Sequence, residues 1–178
     1  LTSNPSIFEK AISTSDAYDK QFKELILANN SVEEAYWELV ITDIAGAAKV
    51  LDSVYQKSAG TDGYVSVEVD PRLARDTNRT IQAARSLNNR LDLPNIYIKI
   101  PGTAEGIPAI RQMISEGVSV NVTLLFSVER YEQVIEAFLS GLEEREGDLS
   151  DVSSVASFFI SRTDSEVDKR LESIGSDT

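Results

Sequence analysis

Four short runs of strand character alternate with longer stretches of helical period, and this alternation constrains the fold more than any other feature. The runs are Tyr64 to Val69, Asn95 to Ile100, Val118 to Phe126 and Val152 to Ile160. Leu1 to Asn4 reads as the end of a further strand before a helical start at Pro5. The helical stretches cover about Asp16 to Leu27, Val32 to Gln56, Pro71 to Arg90, Ala104 to Glu116 and Ser127 to Glu146, with a last one opening at Thr163. Each strand-plus-helix unit takes about 30 residues, the length of a βα unit. Strict β-then-α order predicts a parallel sheet, either open and doubly wound or closed into a barrel. The local punctuation agrees. Ser31-Val-Glu-Glu34 and Thr163-Asp-Ser-Glu166 have the form of capping boxes. Asp70-Pro71 and Thr103 have the form of helix starts. The 178 residues suit a single domain, and no linker or low-complexity stretch divides them.

The faces of the strands separate the two architectures. Strands of a parallel sheet are buried on both sides and ordinarily read as continuous apolar runs. Here Val65, Val67 and Val69 share one face, while Ser66, Glu68 and Asp70 share the other. Ile96, Ile98 and Ile100 alternate in the same way with Tyr97 and Lys99. Val118, Val120, Val122 and Leu124 alternate with Ser119, Asn121, Thr123 and Leu125. In a barrel the apolar face meets the surrounding helices and the polar face lines the interior, with the polar groups toward the strand C-termini where barrel enzymes keep their sites. Taking an unpaired ion out of water costs several kcal/mol, so a shared row of polar groups points to function. The barrel is therefore favoured, with Glu68 and Lys99 within reach of each other on neighbouring strands.

Composition removes whole classes of chemistry. There is no histidine and no cysteine. A Ser-His relay, a histidine zinc site, a thiolate nucleophile and a disulfide are thus all excluded from these residues. Lysine remains as a nucleophile, as does Ser or Thr with an unusual base, and carboxylates remain to move protons. A net charge of −12 argues against a nucleic-acid partner. The longest uncharged apolar stretch, Val118 to Val128, is about half of a bilayer crossing, so no membrane partner is expected. The opening residues do not read as a secretory leader, and with no cysteine the expected compartment is the cytoplasm.

Taken singly, each polar residue has an ordinary explanation. Lys99 could be an ion-paired or snorkelling lysine. Glu68 could pair with Arg72, and Arg162 with Asp164 or Glu166. Asn121 and Thr123 could be hydrogen-bonded core groups, Ser157 a small packing residue, and Asn4 the cap of a helix. Their arrangement on one common face weakens these explanations together.

The same residues also resemble a known family. Thr2-Ser3-Asn4-Pro5-Ser6-Ile7-Phe8, Val67-Glu68-Val69-Asp70-Pro71-Arg72-Leu73, Ile98-Lys99-Ile100-Pro101, Asn121-Val122-Thr123-Leu124-Leu125-Phe126 and Ser157-Phe158-Phe159-Ile160-Ser161-Arg162 resemble transaldolase motifs in their order and spacing. The likeness covers essentially the whole chain and is to the longer bacterial transaldolases rather than the short fructose-6-phosphate aldolase-like relatives. It implies that Lys99 forms a Schiff base with a ketose phosphate, that Glu68 moves protons through a water, and that Thr123 helps to hold that water. It implies that Asn4, Asn121 and Ser157 bind substrate hydroxyls or the Schiff-base unit, and that Arg162 binds phosphate. It further implies sugar-phosphate substrates (sedoheptulose 7-phosphate or fructose 6-phosphate with an aldose phosphate acceptor), a place in the pentose phosphate pathway, and no metal or organic cofactor.

The family's barrel has eight strands, and this chain reads as strands two to six of it. The expectation is a partial (β/α)8 barrel over residues 1–178, lacking strands one, seven and eight, with two unpaired sheet edges and little turnover by itself. Self-association into a homo-oligomer is left open. The alternatives are a class I aldolase-like lyase using the same lysine, and a non-catalytic barrel remnant serving as an interaction module.

Overall fold

The computed structural model describes residues 1–175; residues 176–178, the tail of the single domain expected over 1–178, lie outside them. Four parallel strands form one sheet in the order β1 (Val65–Glu68), β2 (Ile96–Pro101), β3 (Val120–Leu125) and β4 (Ser154–Phe158). Sequence neighbours are spatial neighbours throughout. The opening residues add a stub beside β1, where Thr2 bridges Ser66 in parallel and Ser66 N–H donates to the Leu1 carbonyl at 3.0 Å. An α/β fold with a parallel sheet is thus observed, with its strands ordered as in the wall of a barrel.

The helices follow in chain order: α1 (Pro5–Thr14), α2 (Asp19–Leu27), α3 (Val32–Lys57), α4 (Thr77–Leu91), α5 (Gly106–Ser115), α6 (Val128–Glu144) and α7 (Ile160–Ile174). Helix α3 carries the expected capping box: the Ser31 hydroxyl accepts from Glu34 N–H while the Glu34 carboxylate accepts from Ser31 N–H. The valines of β1, the isoleucines of β2, and Val118, Val120 and Val122 in and just before β3 form the core, packed under Val40, Ile44 and Ala48 of α3, Ala84 and Leu87 of α4, and Ile110, Met113 and Ile114 of α5. The first residue of α5 packs closely on the end of β2, where a Cβ at Gly106 would lie 1.9 Å from the Pro101 carbonyl oxygen, so only glycine fits there.

Several boundaries differ from the sequence reading. After β1 the chain makes only a 3₁₀ turn at Pro71–Leu73, and α4 starts at Thr77, where the Asp76 carboxylate accepts from Arg79 N–H. The segment expected to be helical from Asp16 opens with a 3₁₀ turn, Asp16–Tyr18. Helix α5 starts at Gly106 rather than Ala104, with the Thr103 hydroxyl accepting from Gly106 N–H at 3.0 Å. The last helix starts at Ile160, so Thr163 lies inside it and donates its hydroxyl to the Phe159 carbonyl, while Glu166 pairs with Arg170. No capping box forms at Thr163. The β3–β4 register also slips between Val122 and Leu125. Leu124 there has φ 61° and is exposed, and Leu125 is fully buried in its place. The strict alternation that grouped Leu124 with the valines fails at this bulge. Among the described residues, no helix is long and apolar enough to cross a membrane.

Candidate functional site

The polar rows of the strands share one face, and contacts between non-adjacent strands show that this face is hollow. Asn121 of β3 reaches Ser66 of β1 (Nδ2 to Oγ, 3.0 Å), passing over β2. Tyr97 of β2 reaches Ser153, next to β4, at 2.8 Å between hydroxyls, passing over β3. Backbones two strands apart are about 9–10 Å apart, so such contacts need the sheet to curl toward this side.

Lys99 and Glu68 occupy the middle of the hollow. They are register partners on β2 and β1, and the Lys99 ammonium donates to Glu68 Oε2 at 3.1 Å. Their side chains are only 8% and 10% exposed. The ammonium also donates to the Ser3 carbonyl oxygen at 3.2 Å. A buried ion pair is held by attraction only where its remaining hydrogen-bonding capacity is met. Here the opening stub supplies a backbone acceptor for that purpose. Its place is fixed by Ser3, whose N–H and hydroxyl both donate to the Ser66 carbonyl, at 3.2 and 2.7 Å.

The other expected residues are distributed around this pair. Asn121 is the β3 register partner of Lys99, and its Oδ1 accepts from the Ser157 hydroxyl of β4 at 2.9 Å. Thr123 lies two residues further along β3, pairs in register with Pro101, and is almost wholly buried. Its hydroxyl has no protein partner among the described residues. Asn4 follows Ser3 and caps α1, its Oδ1 accepting from Ile7 N–H at 2.9 Å. Arg162 stands apart. It lies on the exposed first turn of α7, its guanidinium 4.4 Å from the centre of the Phe159 ring, and makes no ion pair with Asp164 or Glu166. Nor does Glu68 pair with Arg72, which binds Asp70 and Glu33 instead. The resulting neighbourhood holds Asp70 below its ordinary range, chiefly through the Arg72 side-chain hydrogen bond.

Two groups escaped the sequence reading. Ser66 was legible as a member of the polar face but carried no chemical signature of its own. The Ser3 carbonyl is a backbone atom, which no side-chain pattern can announce. The size of cavities does not locate the site either. A cavity of about 730 Å³ opens at the N-terminal ends of the strands beside Tyr55, Asp92 and Asp151, away from the amine and carboxylate. A shallower groove of about 410 Å³ runs over the polar face itself, past Ser66, Tyr97 and Asn121. Chemistry favours the polar face, because the buried amine and carboxylate are there. No group of three or more His, Cys, Asp or Glu side chains placed to hold a metal occurs among the described residues.

A family model described as Transaldolase/Fructose-6-phosphate aldolase matches residues 1–178. The chain belongs to this family. Among curated proteins it is 55% identical to the transaldolase of Thermobifida fusca (strain YX), over 99% of this chain and 49% of that protein. It is 52% identical to transaldolase 2 of Streptomyces coelicolor, over 99% of this chain and 48% of that protein. It is 53% identical to the transaldolase of Saccharopolyspora erythraea, over 98% of this chain and 48% of that protein. The chain therefore spans about half the length of the curated relatives it matches.

Proposed function

We propose that this chain carries the Schiff-base half of a transaldolase site, in which Lys99 takes a three-carbon unit from a ketose phosphate and passes it to an aldose phosphate. The observation that carries the reading is the inward-facing Lys99–Glu68 pair, 3.1 Å apart on neighbouring strands and nearly closed to solvent. The chain corresponds to strands two to six of a (β/α)8 barrel, the Leu1 stub standing for the second strand and β1 to β4 for the third to sixth.

These side chains supply the Schiff base and its proton transfers. The unprotonated Lys99 amine adds to the C2 carbonyl of the ketose phosphate, and loss of water leaves an iminium. Glu68, through a water held by Thr123, removes the proton from the C4 hydroxyl. The C3–C4 bond then breaks, its electron pair passes to the iminium as an enamine, and an aldose phosphate departs. The enamine carbon attacks the aldehyde of a second aldose phosphate, the alkoxide formed is reprotonated, and water releases the new ketose phosphate from Lys99. Asn4, Asn121 and Ser157 hold hydroxyls of the bound unit. Arg162 takes the phosphate with its guanidinium fork, at the N-terminal turn of α7 where backbone N–H groups also favour an anion. Sedoheptulose 7-phosphate and fructose 6-phosphate are the donors this scheme fits.

The test is to incubate the full-length protein with fructose 6-phosphate, reduce with borohydride and weigh it. The expected result is a single covalent adduct on Lys99 that Lys99→Ala abolishes; a full-length protein that forms no adduct sinks the reading. Adding an acceptor aldose phosphate separates transferase from lyase. Turnover that rises with acceptor supports transfer, and turnover indifferent to it indicates a class I aldolase on the same lysine.

A further inference from the structure

The Ser66–Asn121 hydrogen bond joins two buried side chains on strands that are not neighbours, and it crosses β2 between the side chains of Tyr97 and Lys99. Ser66 is the register partner of Tyr97, whereas Asn121 is the register partner of Lys99. Left to itself, the Asn121 amide would stand level with the Lys99 stem. Bonding to Ser66 at 3.0 Å draws it one step toward the N-terminal ends of the strands, beneath the amine. Ser157 holds the other end of the same amide at 2.9 Å. Three side chains from β1, β3 and β4 thus form a continuous bar under Lys99. Ser66 is the anchor of that bar, because its backbone is fixed on both sides. Its N–H donates to Leu1, its carbonyl accepts twice from Ser3, and the residue is buried.

We infer that Ser66 is a positioning residue of the Lys99 site: it holds the Asn121 amide below the amine, so that a carbon unit attached to Nζ meets that amide from one side only. This rests on Lys99 being the Schiff-base residue. Ser66 itself need not touch substrate, and its effect passes through Asn121. Loss of one buried hydrogen bond that leaves an unpaired amide costs about 1–3 kcal/mol, which corresponds to roughly a 5- to 150-fold effect if it falls wholly on the bound unit.

The experiment is a double-mutant cycle in the full-length protein with Ser66→Ala, Asn121→Ala and the pair, together with Ser66→Thr, which retains the hydroxyl. Transfer kinetics and the borohydride adduct are measured for each. The expected result is that Ser66→Ala lowers kcat/KM about tenfold while the Lys99 adduct still forms, that Ser66→Thr recovers most of the loss, and that the double variant is no slower than Asn121→Ala. The side-chain amide signal of Asn121, identified by its absence in Asn121→Ala, moves in Ser66→Ala and returns toward its place in Ser66→Thr. Multiplicative losses in the double variant, wild-type kinetics in Ser66→Ala, or an unmoved amide signal overturns the inference. Should Ser66→Ala fail to fold, Ser66→Thr decides: an amide signal or KM displaced as far as in Asn121→Ala counts against positioning through the hydroxyl. Absence of any adduct in the wild-type protein removes the Lys99 reading itself, a result distinct from a wild-type adduct with wild-type kinetics in Ser66→Ala, which overturns only the positioning role.

Discussion

Strands β2 and β4 flank β3 on either side but lead opposite lives. In β2 every residue from Ile96 to Pro101 is buried, on the helix side and on the hollow side alike. In β4 no residue is fully buried, Val155 is 43% exposed, and the helix that follows, α7, buries nothing among its described residues. The difference lies in neighbours. Strand β2 has β1 and β3 beside it and α4 and α5 against it. Among the described residues, strand β4 pairs only with β3. A polar group acquires unusual chemistry only where water is kept away from it, so the buried ion pair belongs to β2 and its partner β1. The residues of β4 and α7, Ser157 and Arg162, join the site from its open side.

The largest expected effect breaks the β2 side of this contrast. Lys99→Met removes the nucleophile and leaves Glu68 buried without its partner. Activity of the full-length protein should fall by at least about a thousandfold, and stability by about 3–5 kcal/mol. Progress curves and urea titration measure the two. Unchanged activity would show that the pair does not matter to catalysis, and unchanged stability that it does not matter to packing.

Packing supplies the next test. Ile98→Ala empties a fully buried site on β2 and should cost about 2–5 kcal/mol. Val155→Ala in the 178-residue chain, at a position 43% exposed, should stay within about 0.5 kcal/mol. Equal losses in the two variants would mean that β4 is covered in solution. Hydrogen exchange sharpens the same contrast without mutation. Amides of β2 and β3 should open only with global unfolding, while those of β4 and α7 exchange at a lower free energy.

The smallest effect concerns the helix layer, well away from the hollow. The Glu116 carboxyl is held below its ordinary range, first by the Arg85 side-chain hydrogen bond (Nε to Oε2, 2.6 Å). A carboxyl whose value is lower folded than unfolded stabilises the fold above the unfolded value, near 4.5, and that stabilisation is lost as pH falls through the folded value. Arg85→Ala should therefore lower the urea midpoint slightly at pH 7 and not at all near pH 2. The pair is partly exposed, so the shift should be small and should shrink further with added salt.

Period-2 patterning made the three polar rows legible, and with them the choice of Lys99, Glu68, Asn121 and Thr123. It works because successive side chains in a strand must point to opposite faces. It failed at Leu124, where a left-handed residue inserts a bulge and Leu125 takes the buried position. An Asn or Gly would have signalled such a bulge, and leucine does not. The Thr163 box failed for a related reason. The same four residues cap a helix or ride within one depending on where the strand before them ends, and β4 ends at Phe158.

By itself, then, the chain determined its element order, its parallel sheet, the two faces of β1, β2 and β3 up to the bulge, and the lack of histidine and cysteine side chains. Those properties follow from local sterics and from which atoms are present. Tertiary structure alone decided that the Ser3 carbonyl also accepts from the Lys99 ammonium and that Ser66 reaches Asn121 across an intervening strand. Those outcomes depend on how strongly the sheet curls and on which strands stand beside which. Curl and adjacency sum small twists over the whole sheet, so no single stretch of residues encodes them.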